Sequence, residues 1–328
     1  MLNKIKVMPL AAESFGVRSM CTMVETPDVR VLLDAGVSLC PKRFGLPPHP
    51  IEFRTIDNLR KRIAEAADKA EVVTISHYHF DHHTPSYEDW LVNWTKAHET
   101  ARQIYHAKTV LMKNPREKIN SSQRQRAWLF QQTSGRHAKK LETADGKTFA
   151  FGKDTLLRFS EPVFHGPEDS MLGWVVMALI EYGEERFMFA PDVQGPMSTH
   201  TLKLIKVAKP QVIMTGGPPF YLGGFKVDEA QLQVGLRNLA SVVETVPLTI
   251  LEHHALRDEA WQQTTKPVYD AALKTGHTVM TAAEYAGKGN AFLESRRKRL
   301  YMDYPPSKEF EKWMREGLTA KSTTKPPI

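Results

Sequence analysis

His77-Tyr78-His79-Phe80-Asp81-His82-His83 places four imidazoles and a carboxylate within seven residues. Alternate residues of an extended chain project to the same side, so His77 and His79 are placed to share one metal ion. Asp81 and His82 follow where the chain turns, placed to serve a second, neighbouring ion. Imidazole and carboxylate donors suit zinc, and also iron or manganese. The competing reading is a solvated His-rich patch without metal. Position argues against it, because the cluster directly follows Val72-Val73-Thr74-Ile75-Ser76, a short apolar run with β character. Cys21 and Cys40 are the only cysteines, too few for a disulfide framework or a Cys-rich zinc knuckle. Any metal must therefore rest on His and carboxylate ligands.

The elements around this cluster alternate between strand and helix patterns. Residues 5–8, 19–25 and 29–34 have β character, the last two joined by the turn Thr26-Pro27-Asp28. Leu32-Leu33-Asp34-Ala35-Gly36 closes the third run and leaves a carboxylate at a strand end. The proline-rich 41–50 reads as a loop, and 56–70 as an amphipathic helix with Ile56, Leu59 and Ile63 on one face. Trp90, Leu91 and Trp94 suggest a helix, as does 121–132, while 104–112 suggests a strand or an irregular segment. Further on, 155–160, 173–182, 186–190, 211–215, 248–251 and 278–280 read as strands. Residues 199–208, 229–246 and 258–275 read as helices. The polar, proline-containing end, 321–328, is expected to fray.

The chain has 328 residues, 41% hydrophobic and 25% charged, an ordinary globular composition with enough length for a large core. No apolar run approaches the roughly 18 residues of a membrane span; the best, 171–180, is broken by Gly173. The first residues lack the apolar stretch of a secretory signal, and a cytoplasmic location with no membrane partner is expected. The net charge of +7 is concentrated: residues 96–140 hold eleven Lys and Arg against Glu99 and Glu117. Such a segment favours anionic partners, nucleic acid among them. It lies with Trp90, Trp94, Tyr105, Trp128 and Phe130, aromatics able to stack on bases. The bland alternative is a solvated helical lid with its own small core. Arg296-Arg297-Lys298-Arg299 is read as a solvated charge run, and neither it nor the amphipathic 310–318 sets an oligomeric state.

His-x-His-x-Asp-His after a short apolar strand resembles the signature of the metallo-β-lactamase superfamily, and other motifs follow in that superfamily's order. Asp34 resembles the aspartate that orients ligands. His165, in Phe164-His165-Gly166-Pro167, resembles the histidine completing the first metal's set. Asp192, in Phe189-Ala190-Pro191-Asp192, resembles the bridging aspartate. His253 or His254, after 248–251, resembles the last histidine, with His253 preferred because it continues the strand. The resemblance covers about residues 5–280 and is closest to a group of archaeal proteins of this fold, which implies no substrate. It implies an α/β four-layer αβ/βα sandwich, taken as one domain over 1–328, with 84–150 as a basic, mainly helical insertion. His83-Thr84-Pro85 departs from the family, which often has glycine two residues after the last motif histidine; His83 is not expected to be a ligand.

The resemblance further implies two divalent ions, Zn2+ first with Fe or Mn as alternatives. His77, His79 and His165 would hold the first, and Asp81, His82 and His253 the second. Asp192 would lie between them, so that Asp34, Asp81 and Asp192 are the catalytic carboxylates. A water bridging two such ions loses a proton near neutrality and attacks carbon or phosphorus. Phosphodiester hydrolysis is the first expectation, with Arg124 and Arg126 as substrate contacts and the Gly-rich 216–224 loop presenting Tyr221. Lactone, thioester or other carboxyl ester hydrolysis is the second. The third is a nucleic-acid-binding protein with a structural metal site. Only about 60 residues separate Asp192 from His253, too few for the large domain inserted in many nucleases of the superfamily.

Overall fold

A computed structural model describes residues 2–328. Its first sheet orders β1 (Lys6–Pro9), β2 (Thr22–Glu25), β3 (Arg30–Leu33), β4 (Val72–Ile75), β5 (Thr109–Met112) and β6 (Lys140–Thr143) side by side. The second comprises β7 (Thr148–Phe151), β8 (Thr155–Phe159), β11 (Ala178–Tyr182), β12 (Glu185–Ala190), β13 (Val212–Gly216), β14 (Leu248–Glu252) and β15 (Thr278–Met280). A short hairpin, β9 (Val163–Phe164) with β10 (Trp174–Val175), lies between β8 and β11 in sequence. Each sheet is antiparallel at its N-terminal strands and parallel afterwards: β3 to β6 run together, as do β12 to β15.

The sheets face each other across one core. Leu32, Val73 and Leu111 of the first sheet share it with Leu157, Ile180, Phe187 and Phe189 of the second. The pleat sends alternate residues of β12 the other way, and Met188 and Ala190 pack with Ile205 and Val242 of the helices α4 (Thr199–Ala208) and α5 (Glu229–Val243). On the far side α1 (Pro50–Lys69) buries Phe53, Ile56 and Ile63 in the central core. The result is an αβ/βα sandwich. Helix α1 begins six residues before the periodicity suggests. Pro50 occupies the first turn, His49 Nδ1 accepts from the Ile51 amide at 3.2 Å, and Glu52 accepts from the His49 amide at 2.8 Å.

Several sequence expectations change here. Residues 84–150 hold the helices α2 (Ala97–Tyr105) and α3 (Ser121–Gln132), but they also supply β5, β6 and β7. The segment is thus built into both sheets, with its helical content in the crossovers. Residues around Trp90–Trp94 form turns, because the Asp89 carboxylate collects the amides of Leu91 and Val92. Residues 258–275 divide into α6 (Trp261–Thr264) and α7 (Lys266–Thr275) at Pro267. The run 296–299 is not wholly solvated. Arg297 is fully buried, with its Nε and Nη2 each 2.8 Å from the two oxygens of Glu52. Phe310 and Trp313 are buried against Phe53, so 310–318 packs inward. The C-terminal residues carry a helix, Leu318–Thr323, and dock: Trp313 Nε1 donates to the Thr324 carbonyl at 3.0 Å, and Trp90 N to that of Ser322 at 2.7 Å. Among the described residues no helix is long and apolar enough to cross a membrane.

Candidate metal centre

Five strands end at one place. Asp34 follows β3, His77 follows β4 after Ser76, His165 follows β9, Asp192 lies two residues beyond β12, and His253 follows β14. Parallel strands leave their C-terminal ends on one edge, and the two sheets bring these edges together. Asp34, Asp192 and His253 all have positive φ, 46°, 49° and 63°. That region is costly for residues with a Cβ and is held only where surrounding contacts over-determine it. Gly36 is required for another reason. A Cβ there would lie 2.3 Å from the His83 amide nitrogen and 2.5 Å from that of His82. The turn after β3 therefore presses directly on the backbone of the histidine motif.

The donor atoms converge as two sets. His77, His79, His165 and Asp192 form one; Asp81, His82 and His253 form the other; Asp34 with His77 and His82, and Asp192 with His253 and His254, form two further groups that overlap them. His77 Nε2 and His79 Nδ1 are 3.0 Å apart. Asp192 Oδ2 lies 3.1 Å from His165 Nε2 and 3.2 Å from both His77 Nε2 and His82 Nε2. Its other oxygen, Oδ1, is 3.1 Å from His253 Nε2 and 3.3 Å from His254 Nε2. Asp81 Oδ2 is 3.4 Å from His253 Nε2. His82 Nε2 and Asp192 Oδ1 are buried with no hydrogen-bond partner. Buried polar atoms are rarely left so, and nitrogen and carboxylate donors aimed at a common point fit divalent cations. The residues present thus fit the metal ions expected from the sequence.

Asp34 converges with His77 and His82 and orients both rings. Its Oδ2 accepts from His82 Nδ1 at 2.7 Å and from the Ser76 hydroxyl, and its Oδ1 from the Ser76 amide at 2.8 Å. The Ser76 oxygen in turn lies 3.0 Å from His77 Nδ1. Both imidazoles are thereby held with Nδ1 turned to Asp34 or Ser76 and Nε2 facing inward. Gln194 Nε2 approaches His165 Nδ1 at 3.4 Å.

Burial, then the charge of His82, drives the His77 pKa down to about 3, and burial holds His79 well below the usual value. His82 goes the other way: burial of its charged form pulls it down, but the carboxylates of Asp192, Asp34 and Asp81 together hold it well above the usual value. Asp192 is held well below the usual carboxylate range, where the surrounding imidazoles, His253 first, overcome burial. His83 is buried, pushed down to about 4 by that burial, and spends Nδ1 on the His79 carbonyl at 3.0 Å, outside both donor sets.

The sequence did not single out Glu13, Ser76, Gln123 or Arg257. Arg257 is buried four residues past His253; its Nε donates to Glu13 Oε1 at 2.5 Å and its Nη2 lies 3.5 Å from Asp81 Oδ2. Glu13 is pushed up to about 7 by burial, against the pull of Arg257. Gln123 links the motif to the 166–173 loop, accepting from the Tyr78 amide at 3.3 Å and donating to the Leu172 carbonyl at 2.7 Å. A Gln beside helix-favouring neighbours carries no sequence signal of such a role.

Of the expected substrate contacts, Tyr221 is brought to the site, its hydroxyl 3.2 Å from His254 Nδ1. Arg126 stacks 4.7 Å over the ring of Phe80 within the motif. Arg124 is exposed and bonded to the Arg116 carbonyl at 3.2 Å, and is not brought to the centre. Trp94, Tyr105 and Phe130 are core residues and unavailable for base stacking; Trp128 is exposed.

Archaeal relatives align along nearly the whole chain. A UPF0282 protein of Korarchaeum cryptofilum is 39% identical over 311 residues, covering 94% of this chain and 99% of its own. The chain belongs to the UPF0282 family. The Pyrobaculum islandicum member is 43% identical over 298 residues, 90% of this chain and 94% of that one. No family model matches. Among solved structures the chain is similar to Tm1679, described as a metal-dependent hydrolase of the beta-lactamase superfamily. That match has 12% identity and a TM-score of 0.44, covering 85% of this chain and 95% of that one. The chain's own architecture is the αβ/βα sandwich described above, with its donor residues at the joined strand ends.

Proposed function

We propose that this UPF0282 protein is a dinuclear metal-dependent hydrolase acting on phosphodiesters. The observation that carries the reading is Asp192, whose two carboxylate oxygens lie within 3.3 Å of imidazole nitrogens from both donor sets. Bound divalent ions would supply an activated water and stabilise the charge developing on the attacked group. The protein's own residues set the geometry. Asp34 fixes His82 directly and His77 through Ser76. Asp192 ties the two sets at a fixed spacing. Arg126, braced on Phe80, offers a cation beside the motif, which favours a substrate with negative charge.

Elemental analysis together with hydrolysis of bis-p-nitrophenyl phosphate and of a simple lactone tests this reading. Two metals per chain and phosphodiester cleavage that falls by roughly a hundred-fold or more in Asp192→Asn are expected. Lactone cleavage alone would move the reading to carboxyl esters. Chain without metal, and without activity after metal is added, would overturn it.

A further inference from the structure

The proline-rich loop 41–50 adopts an unfavourable backbone conformation next to the metal centre. Arg43 and Leu46 exchange both backbone hydrogen bonds at 2.9 Å, closing a two-residue turn on Phe44 and Gly45. Both central residues have positive φ, 56° and 81°. Such turns favour Asn-Gly or Asp-Gly, and a bulky side chain at positive φ is an outlier. Outliers of this kind cluster where a function holds them. Here the strained residue presents a phenyl ring, with Phe44 43% exposed.

Cations gather on that ring. The Arg43 guanidinium lies 4.7 Å from the ring centroids of both Phe44 and Tyr221, and Lys298 Nζ lies 4.9 Å from that of Phe44. Tyr221 connects the cluster to the centre through its hydroxyl, 3.2 Å from His254 Nδ1, and Arg43 Nη2 donates to the Arg257 carbonyl at 3.0 Å. Arg297 and Arg299 are paired with Glu52 and Asp303, but Lys298 and Arg43 pair with no carboxylate among the described residues. Arg43 Nε is buried without a hydrogen-bond partner.

Uncompensated positive charge beside an exposed aromatic face is the pairing that binds single-stranded nucleic acid: cations hold backbone phosphates while rings stack on bases. An apolar protein partner fits less well, because covering the ring would strip water from the cations stacked on it. Lys42 and Gly45, on either side of the strained turn, also line a surface cavity of about 780 Å3, with Arg315 and Lys321 on its wall. Glu311 is the one acidic residue lining it, so the cavity complements a phosphate backbone.

We propose that Phe44 is the base-stacking platform of a single-stranded nucleic-acid site, in which a strand leaves the metal centre past Tyr221 and Arg43 and continues along the cavity beside Lys42. The placing of the scissile phosphate at the centre rests on the phosphodiester reading above; the stacking role of Phe44 does not.

The test uses the full metal-loaded chain and short labelled phosphorothioate strands, which keep the backbone charge and resist cleavage. Deoxyribo and ribo forms are each paired with an abasic strand of the same length, and fluorescence polarisation gives the affinities. Phe44→Asn suits the turn and removes the ring. It is expected to melt no lower than wild type and to bind the base-carrying strand about ten-fold more weakly, with the abasic strand unchanged. Phe44→Trp is expected to stay within about three-fold of wild type. Arg315→Glu is expected to weaken both strands together, more at low salt than at high. The sugar form that shows the Phe44 effect identifies the polymer, and its absence from both overturns the proposal. Equal weakening of base-carrying and abasic strands by Phe44→Asn overturns it too, as does a Phe44→Asn melt well below wild type, which would make the ring a structural support. Stacking on Phe44 with no hydrolysis of any natural strand would sink the proposed activity and leave this site standing. Hydrolysis of natural strands with kcat/KM unchanged in Phe44→Asn would do the reverse.

Discussion

Gly36→Ala is the most incisive perturbation of the centre, because it adds one methyl group and touches no metal donor. The added carbon would sit 2.3 Å from His83 N and 2.5 Å from His82 N. Ordinary contact requires about 1 Å more. The atoms met are backbone, which no rotamer change relieves, so either the turn after β3 or the histidine motif must move. Metal sites tolerate displacements of only about 0.2 Å in ligand distance, so a shift of this size at His82 removes it from the second donor set. Overpacking of this kind costs about 1–3 kcal/mol, toward the upper end for a backbone clash. The expected result is a folded protein with lowered melting temperature that keeps the metal held by His77, His79 and His165 and loses much of the other. Elemental analysis after gel filtration, with thermal melts on the same samples, checks both parts. Gly36→Ala with full metal content and an unchanged melt would refute the claim that this close approach positions the motif.

Removing metal with a chelator should lower the melting temperature and adding Zn2+ should restore it, since a ligand at a hundred times its dissociation constant stabilises by about 2.7 kcal/mol; a melt indifferent to both would count against occupied sites. Arg126→Glu should reduce phosphodiesterase kcat/KM by roughly ten-fold, more at low salt than at high. Arg124→Glu should change it little, and equal effects would argue against Arg126 as the cation that matters. The Glu294 carboxyl is buried, and the charge of Arg18 overrides that burial and holds it down to about 2. Its folded pKa lies below its unfolded one, so its contribution is full above about pH 4.5 and is lost as pH falls toward 2. Glu294→Gln should flatten that acid limb of the melting curve, and a limb of unchanged steepness would place the acid sensitivity elsewhere.

The sequence alone determined the kinds of donor and the elements that carry them. His77 to His82 are local to one strand end, and period-two spacing is enough to place His77 and His79 together. Asp34, His165, Asp192 and His253 were legible through the resemblance and their order along the chain; the two-residue strand before His165 left no pattern of its own. β5 closes the stretch 104–112 that reads as a strand or an irregular segment, but β6 and β7 were not legible, because short edge strands are decided by their partners rather than by their own pattern. Arg297 looked like part of a solvated run until Glu52, 245 residues away, was found to pair with it. The aromatics of the basic segment looked like stacking platforms, yet Tyr105 and Phe130 pack on each other at 5.2 Å in the core. The roles of the two adjacent histidines belong to tertiary structure entirely. Residues 253 and 254 are the same amino acid after the same strand. Only the fold brings both Nε2 atoms to Asp192 Oδ1, at 3.1 and 3.3 Å, and only it sets His253 Nε2 beside Asp81 as well, at 3.4 Å.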